Sequence, residues 1–185
     1  MIYFDNAATT RALDIVSERV GHMLLDNYGN PSSQSMMGVR AEREIIEARK
    51  VMASAINALP EEIYYTSGGT ESDNWAVFGT ARGYLRNGRH MITTAIEHPA
   101  MLMPMMQLKE MGWDITVLGV DCAGYIDIDE LKAAVRDDTV LVSTILINNE
   151  TGTIQNAAEI SRAIKSVNPN TLYHVDAVQA FGKYP

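Results

Sequence analysis

Four short polar stretches could form one chemical site, since each of them follows a β-prone segment. They are "SGGTES" (67–72), "EHPA" (97–100), "NETGTIQ" (149–155) and "DAVQ" (176–179). The first offers backbone N–H groups and a hydroxyl to an anion. The second offers an imidazole, the third an amide, and the fourth a carboxylate and an amide. No G-x-G-x-x-G follows a β-prone segment and no P-loop lysine is present, so the pattern is not that of a dinucleotide or triphosphate site.

An alternation of strand-like and helix-like segments must position these stretches. The pattern predicts helices over 42–56, 70–87, 100–111, 127–137 and 157–167. It predicts strands over 62–66, 90–96, 114–120, 139–148 and 172–178. Such alternation is typical of an α/β fold, a mostly parallel sheet with helices on both faces. Because ligands bind beyond the carboxyl ends of the strands in these sheets, we expect the polar stretches to meet at one cleft.

Composition and charge narrow the class of protein. A chain of 185 residues with 46% hydrophobic and 21% charged residues has the balance of a soluble globular domain. Its net charge of −8 disfavours nucleic acid or an acidic membrane surface as a partner. No apolar run approaches the roughly 20 residues of a membrane helix, and the N-terminus lacks the features of a secretory signal. The single cysteine, Cys122, cannot form an internal disulfide, and no Cys/His cluster has metal-ligand spacing. A cytoplasmic location is therefore predicted.

The polar stretches suit a cofactor with a phosphate at one end and a protonatable aromatic nitrogen at the other. Pyridoxal 5′-phosphate is such a cofactor. The N–H groups of Gly69 and Thr70 would hold its phosphate, and Asp176 would keep its ring nitrogen protonated. His98 could stack on the ring and move protons, and two amides could bond its phenolic oxygen. The predicted contacts are Gly69, Thr70, His98, Asn149, Asp176 and Gln179.

Each of these residues alone has a simpler interpretation. The Gly-Gly junction could be a plain turn. His98 could be a surface or capping residue, Asp176 could cap the following segment, and Asn149 could occupy a turn position. His174 alternates with Asp176 on a predicted strand, so the two should face the same way. The joint pattern at four strand ends is hard to produce by accident, which favours a site.

Six motifs carry a resemblance to a known family: "YFDNAATT" (3–10), "GNPSS" (29–33), "TSGGTESDN" (66–74), "EHPA" (97–100), "NNETG" (148–152) and "HVDAVQAFGK" (174–183). The chain resembles the N-terminal half of the cysteine desulfurases, in the class V aminotransferase group of fold-type I pyridoxal-phosphate enzymes. The resemblance implies that Gly69 and Thr70 bind phosphate and that His98 stacks on the ring as an acid/base. It implies that Asp176 pairs with the ring nitrogen, while the amides of Asn149 and Gln179 contact the phenolic oxygen.

The resemblance also implies an activity. A cysteine desulfurase converts L-cysteine to L-alanine and passes the sulfur, as an enzyme-bound persulfide, to a sulfur-acceptor protein for iron–sulfur cluster or thiolated-cofactor assembly. Such an enzyme is expected to be a cytoplasmic homodimer. Two alternatives stay open: a selenocysteine lyase or other class V aminotransferase-like enzyme, and a non-catalytic truncated fragment.

The expected domain content is partial. Residues 1–185 correspond by resemblance to an N-terminal segment plus the major part of the cofactor-binding large domain, without the rest of that domain or the small C-terminal domain. The Schiff-base lysine is expected a couple of dozen residues after Gln179, and the catalytic cysteine later still, so the chain alone is expected to be inactive. Lys183 is interpreted as structural. Ser35 stands near the position where the family usually has a histidine.

Overall fold

The computed structural model describes residues 2–184, which form two compact units divided between Tyr65 and Thr66. The first unit contains helices α1 (Asp14–Leu25) and α2 (Met36–Ala55) and a short 3₁₀ turn (Pro60–Glu62). Helix α1 was not predicted from the sequence pattern, and none of its side chains is buried.

Ser35 begins helix α2 in the first unit. Its hydroxyl accepts a hydrogen bond from the N–H of Gly38 at 3.2 Å, which satisfies one of the donors left open at a helix start. Gly38 has no room for a side chain, because a Cβ there would lie 2.1 Å from the carbonyl oxygen of Ser33. Ser35 therefore has a structural role as an N-cap at the position where the resemblance led us to expect a histidine.

The predicted strand over 62–66 is wrong. Glu62 ends the 3₁₀ turn and accepts the N–H of Leu59 at 2.7 Å, and the residues after Ile63 pair with no strand in the described part of the chain. Tyr64 and Tyr65 are both exposed, and the guanidinium of Arg49 lies 5.4 Å from the centre of the Tyr65 ring. The aromatic residues that suggested a strand thus make side-chain contacts instead of a ladder.

The second unit confirms the predicted α/β fold. Its strands are β1 (His90–Thr94), β2 (Asp114–Leu118), β3 (Thr139–Ile145) and β4 (Leu172–Asp176). They form a sheet of four strands in the order β2-β1-β3-β4, and every pairing is parallel. The helices are α3 (Gly69–Gly83), α4 (Pro99–Glu110), α5 (Ile128–Ala134) and α6 (Ala157–Val167).

The sheet is covered on both faces, which explains the near-continuous apolar runs of its central strands. Every residue of β1 and β3 is buried. Met91 and Leu141 face the core formed with α3 and α4, whereas Ile92 and Val142 face the core formed with α5 and α6. Neighbouring residues therefore supply opposite cores, as the period of a strand requires.

Several predicted strands run past the observed ends. The predicted strand 139–148 stops at Ile145, and the chain then bends into a loop closed by an antiparallel bridge between Ile147 and Ile154. The predicted strands over 114–120 and 172–178 end at Leu118 and Asp176. Three of the four polar stretches thus follow the carboxyl ends of β1, β3 and β4, whereas the stretch 67–72 leads into α3 and follows no strand in the described residues. Among the helices of residues 2–184, none is both long and apolar enough to cross a membrane.

We expect the Ile92→Ala substitution to lower the free energy of unfolding by about 3 kcal/mol, because it opens a cavity in a central strand that is fully buried. Val117→Ala in β2 is the control, since Val117 is 41% exposed and its loss should cost less than about 1 kcal/mol. Urea denaturation followed by circular dichroism measures both. Equal losses would contradict the assignment of Ile92 to the core.

Candidate functional site

The direction in which successive strands are added to the sheet reverses between β1 and β3. From β1 the chain leads outward to β2, and from β3 it leads outward to β4 on the other side. The connection after β1 enters α4, which packs with α3 on one face of the sheet, whereas the connection after β3 leads to α6 on the opposite face. The two loops separate at the carboxyl ends of the strands. Such a switch point is where open α/β sheets bind their ligands.

Two side chains join the separating loops. Glu97 accepts the N–H of Ile145 at 2.8 Å and the hydroxyl of Thr94 at 2.5 Å through one carboxyl oxygen. The side-chain amide of Asn148 donates to the carbonyl of Ile96 at 2.8 Å. Both side chains are buried. The loop that carries the "EHPA" stretch is thereby tied to the end of β3 from both sides of the switch point.

The amide oxygen of Asn148 also shapes the loop that follows β3. It accepts the N–H groups of Glu150 and Thr151 at 2.9 and 2.8 Å. Asn149, the residue predicted to contact a cofactor, is half-buried in this turn. Asn148, the residue before it, is thus held by hydrogen bonds to the loop after β1 and to the loop after β3.

His98 is the N-cap of α4. Its Nδ1 accepts the N–H of Ala100 at 3.1 Å, and its backbone is extended, as expected before Pro99. In the neutral ring the proton therefore lies on Nε2, since Nδ1 is the acceptor. His98 lines a surface cavity of about 600 Å³ together with Thr70 and Asn74. The structure thus brings the predicted imidazole and the predicted phosphate-binding threonine to one cavity.

The start of α3 has the form of an anion site. Helix α3 begins at Gly69, within the polar stretch 67–72, and the N–H groups of its first turn have no acceptor within the helix. The N–H of Ser67 is already bonded to the carboxylate of Glu71 at 2.6 Å, and this bond holds the pKa of Glu71 below its usual range. A Cβ at Gly69 would lie 2.9 Å from Cγ2 of Val178, so the helix start lies against the turn that follows β4.

Asp176 ends β4 and supplies a buried carboxylate at the same edge. It is 5% exposed, and its Oδ1 accepts the N–H of Val178 at 3.0 Å. In the turn beyond, the Gln179 side-chain oxygen accepts a hydrogen bond from Lys183 at 3.0 Å. Asp176 therefore lies two residues before Val178, whose side chain is close to Gly69.

The predicted site residues are only partly brought together. Thr70 and His98 share the cavity, but Asn149, Asp176 and Gln179 do not line it. Gly69 is connected to the Asp176 turn through Val178. The contacts of all six residues with a cofactor stay predictions.

Sequence reasoning missed two buried acids near this site. Asp73 on α3 is 3% exposed, and burial, with the charge of Asp176 as a second cause, raises its pKa to about 7. Burial likewise raises the pKa of Glu97 to about 7, although its hydrogen bonds to Thr94 and Ile145 oppose the shift. The second carboxyl oxygen of Glu97 is buried without a hydrogen-bond partner in the described structure. An acid early in a helix and an acid before a histidine usually indicate capping or surface positions, so no local pattern predicts the burial of Asp73 or Glu97.

His174 faces the same side of β4 as Asp176, as the strand pattern predicted. Its Nδ1 is 2.9 Å from the hydroxyl of Ser143 on β3, and its Nε2 is 3.8 Å from Oδ1 of Asp73. Burial lowers the pKa of His174, and the charge of Asp176 opposes this shift. Asp73, His174 and Asp176 thus form a group of titratable side chains behind the end of β4.

Several known proteins resemble this chain in sequence and in fold. Residues 2–185 match the family model described as "Aminotransferase class-V". The chain belongs to the class V aminotransferase family. It is 45% identical over its whole length to a protein named cysteine desulfurase IscS from Neisseria gonorrhoeae and to one of the same name from Methanosarcina thermophila. It spans 45% of each, so it covers about half the length of the curated relatives that it matches.

Two solved structures extend the comparison. A NifS-like protein is 42% identical, with a TM-score of 0.97 over 100% of this chain and 50% of that protein. A structure titled "SspA in complex with cysteine" is 33% identical, with a TM-score of 0.92 over 98% of this chain and 52% of the other. The resemblance to cysteine desulfurases that the motifs indicated is confirmed, together with the fold.

Replacing His98 should separate its capping role from any chemical role. His98→Ala should lower the free energy of unfolding by about 1 kcal/mol, because the N–H of Ala100 loses its acceptor. His98→Asn should keep most of that stability, since asparagine is a good N-cap but has no ring. Urea denaturation of both variants measures the difference. Equal stability of the two would contradict the capping role.

Glu97 should make the stability of the protein fall as pH rises. Its pKa is raised from 4.5 to about 7 in the folded chain, so between these values the folded state binds more protons than the unfolded state. The free energy of unfolding should therefore decrease from pH 4.5 to pH 7, and Glu97→Gln should remove roughly 2 kcal/mol of that decrease. Urea denaturation at intervals of pH measures this, with the exposed Glu130→Gln as control. The same slope in wild type and Glu97→Gln would contradict it.

Proposed function

We propose that this chain forms the cofactor-binding part of a pyridoxal-phosphate-dependent cysteine desulfurase. The observation that carries the proposal is the meeting of two unlike groups at one edge of the sheet. The N-terminus of α3 lies against the turn that follows the buried carboxylate Asp176. The identity of 45% with proteins named cysteine desulfurase supports L-cysteine as the substrate.

The residues at this edge fit the two ends of the cofactor. The N–H groups and hydroxyl at the start of α3 suit a phosphate, and Gly69 lets the helix start approach Val178 where a side chain would collide. Asp176 suits a protonated ring nitrogen, because a buried carboxylate favours a cation beside it. When bound, pyridoxal phosphate supplies a conjugated ring that accepts electrons from a bond broken in the substrate.

Asp176 would hold the proton on the ring nitrogen. Its Oδ1 is fixed by the N–H of Val178, so the carboxylate keeps one orientation. His98 would cover one face of the ring and exchange protons through Nε2, since Nδ1 accepts from Ala100. Because the neutral ring then carries its proton on Nε2, His98 would donate a proton before it could accept one there.

The two amides would contact the phenolic oxygen. The side-chain oxygen of Gln179 accepts from Lys183, so its NH₂ group is the part suited to donate to that oxygen. Asn149 is half-buried in the turn whose neighbouring residue Asn148 is tied to the loop before His98. Both amides would then lie beside a substrate bound at the switch point.

The activity of a whole desulfurase also needs a Schiff-base lysine and a catalytic cysteine, and we assign neither role to a residue of this chain. Lys183 is bonded to Gln179, and Cys122 is exposed in the turn between β2 and α5. Transfer of sulfur to an acceptor protein, a homodimeric assembly and a cytoplasmic location are parts of the same proposal. We expect the 185-residue chain to bind the cofactor weakly and to form no alanine from cysteine.

Cofactor binding can be tested with the chain itself. We expect pyridoxal phosphate to bind weakly, with no covalent attachment that borohydride can fix. Titration followed by absorbance measures binding, and mass spectrometry after borohydride treatment locates any adduct. A specific adduct on Lys183 would contradict our interpretation of that lysine. Failure to bind at millimolar cofactor would contradict the proposed site.

Replacing Asp176 should weaken binding of the ring. Asp176→Ala should raise the dissociation constant of pyridoxal phosphate by about tenfold or more, because the ring nitrogen loses its counter-charge. Asp176→Glu should retain more affinity, and the exposed Asp129→Asn is the control. Fluorescence titration measures all three. Unchanged affinity in Asp176→Ala would remove Asp176 from the site.

A further inference from the structure

A group of buried polar side chains lies behind Asp176 on the face of the sheet that α3 covers. His174 and Asp176 are two residues apart on β4, so their side chains share this face. Ser143 on β3 is the register partner of His174, and its hydroxyl is 2.9 Å from Nδ1 of His174. Asp73 on α3 completes the group, with Oδ1 at 3.8 Å from Nε2 of His174.

The group contains buried carboxyl groups without a matching cation. Asp73 and Asp176 are 3% and 5% exposed. The titratable groups near Asp73 are His174 and Asp176 from β4 and, from the loop after β1, Glu97, whose own pKa is influenced by both aspartates. Helix α4 presents apolar residues to this core, and in residues 2–184 no lysine or arginine forms an ion pair with any of these acids.

We propose that Asp73 is a positioning residue for the ring-nitrogen site: its carboxyl holds a proton that leaves for solvent when a cation binds beside Asp176, and its ionised form strengthens the binding of that cation. The inference rests on the proposed function only in naming the cation, which is the protonated ring nitrogen of the cofactor. Asp73 touches neither cofactor nor substrate and acts through His174 and Asp176.

Burial is the first reason for the retained proton on Asp73, and electrostatic repulsion by Asp176 is the second. Two buried carboxylates without a cation do not both ionise readily, and the raised pKa of Asp73, about 7, agrees with this. A cation beside Asp176 offsets the repulsion and lets Asp73 ionise. By linkage, ionisation of Asp73 must then favour the cation by the same factor. Because the group is buried, salt screens this coupling little.

His174 can accommodate both states of Asp73. Its lowered pKa keeps the ring neutral near pH 7, with one nitrogen as donor and the other as acceptor. Nε2 can accept from a protonated Asp73 or donate to an ionised one. The hydroxyl of Ser143 can reverse its own role at Nδ1, because it both donates and accepts. His174 and Ser143 can therefore form hydrogen bonds in both protonation states of Asp73.

The proton on Asp73 can be observed without any ligand. Carbon NMR of the Asp73 carboxyl and of the His174 ring should show a common transition near pH 7. In Asp73→Asn that transition should disappear from His174, and the control Asp129→Asn should retain it. Asp176→Asn should move the transition of Asp73 to lower pH, which keeps the test valid if Asp73→Asn does not fold. Titration of Asp73 near pH 4, the ordinary value for an aspartate, would overturn the inference.

Binding measurements test the link to the ring nitrogen. The probe is pyridoxine 5′-phosphate, which has no aldehyde and so forms no covalent bond to a lysine. Between pH 6 and pH 8 we expect its affinity for wild type to rise about fivefold more than its affinity for Asp73→Asn. Calorimetry at pH 7 in buffers of different ionisation heat should show that wild type releases more protons on binding. An analogue with carbon in place of the ring nitrogen should abolish both differences.

The outcomes distinguish this inference from the proposed function. If wild type does not bind the probe at millimolar concentration, the proposed cofactor site is wrong and the role of Asp73 fails with it. If the probe binds, but wild type and Asp73→Asn show the same pH dependence and the same proton release, only the inference about Asp73 is overturned.

Discussion

The join between β1 and β3 is the constraint on which the site depends. Both strands are fully buried, and the loops that follow them leave toward opposite faces, so the backbone groups at the point of separation lose their ladder partners. Glu97 and Asn148 satisfy two of them, the N–H of Ile145 and the carbonyl of Ile96. His98 and Asn149 directly follow these two residues. Their positions therefore depend on hydrogen bonds that also stabilise the fold.

This arrangement gives the site two poles. Asp73, Glu97 and Asp176 bury carboxyl groups on one side, and the raised pKa values of the first two show how costly further negative charge is there. The N-terminus of α3 has open N–H groups that would suit an anion. A ligand with a phosphate and a cationic ring nitrogen satisfies both poles, whereas a simple anion or a simple cation would satisfy only one.

The sequence predicted the helices and strands that have a clear apolar pattern. It did not predict features that depend on one particular contact elsewhere in the fold. Helix α6 has the predicted bounds, and the apolar run of β3 indicated a strand buried on both faces. The segment 62–66 has the residue types of a strand, but its tyrosines remain exposed and its first residue, Glu62, ends a 3₁₀ turn. The buried state of Asp73 was invisible because it depends on α3 packing over β4, which no local pattern contains.

Under the proposed function, the residues that bind the cofactor all belong to one unit of the chain. All six residues proposed to contact the cofactor lie in the unit from Thr66 onward, at the carboxyl ends of three strands and the start of one helix. The side chains of His98, Asp176 and Gln179 make hydrogen bonds within that unit, Asn149 follows the bonded Asn148, and Gly69 lies against Val178. In our proposal the electrostatic demand of the ring nitrogen would be met there too, by Asp176 with Asp73 and His174 behind it. Under the proposed function, the contribution of this unit to a desulfurase is to hold and polarise the cofactor.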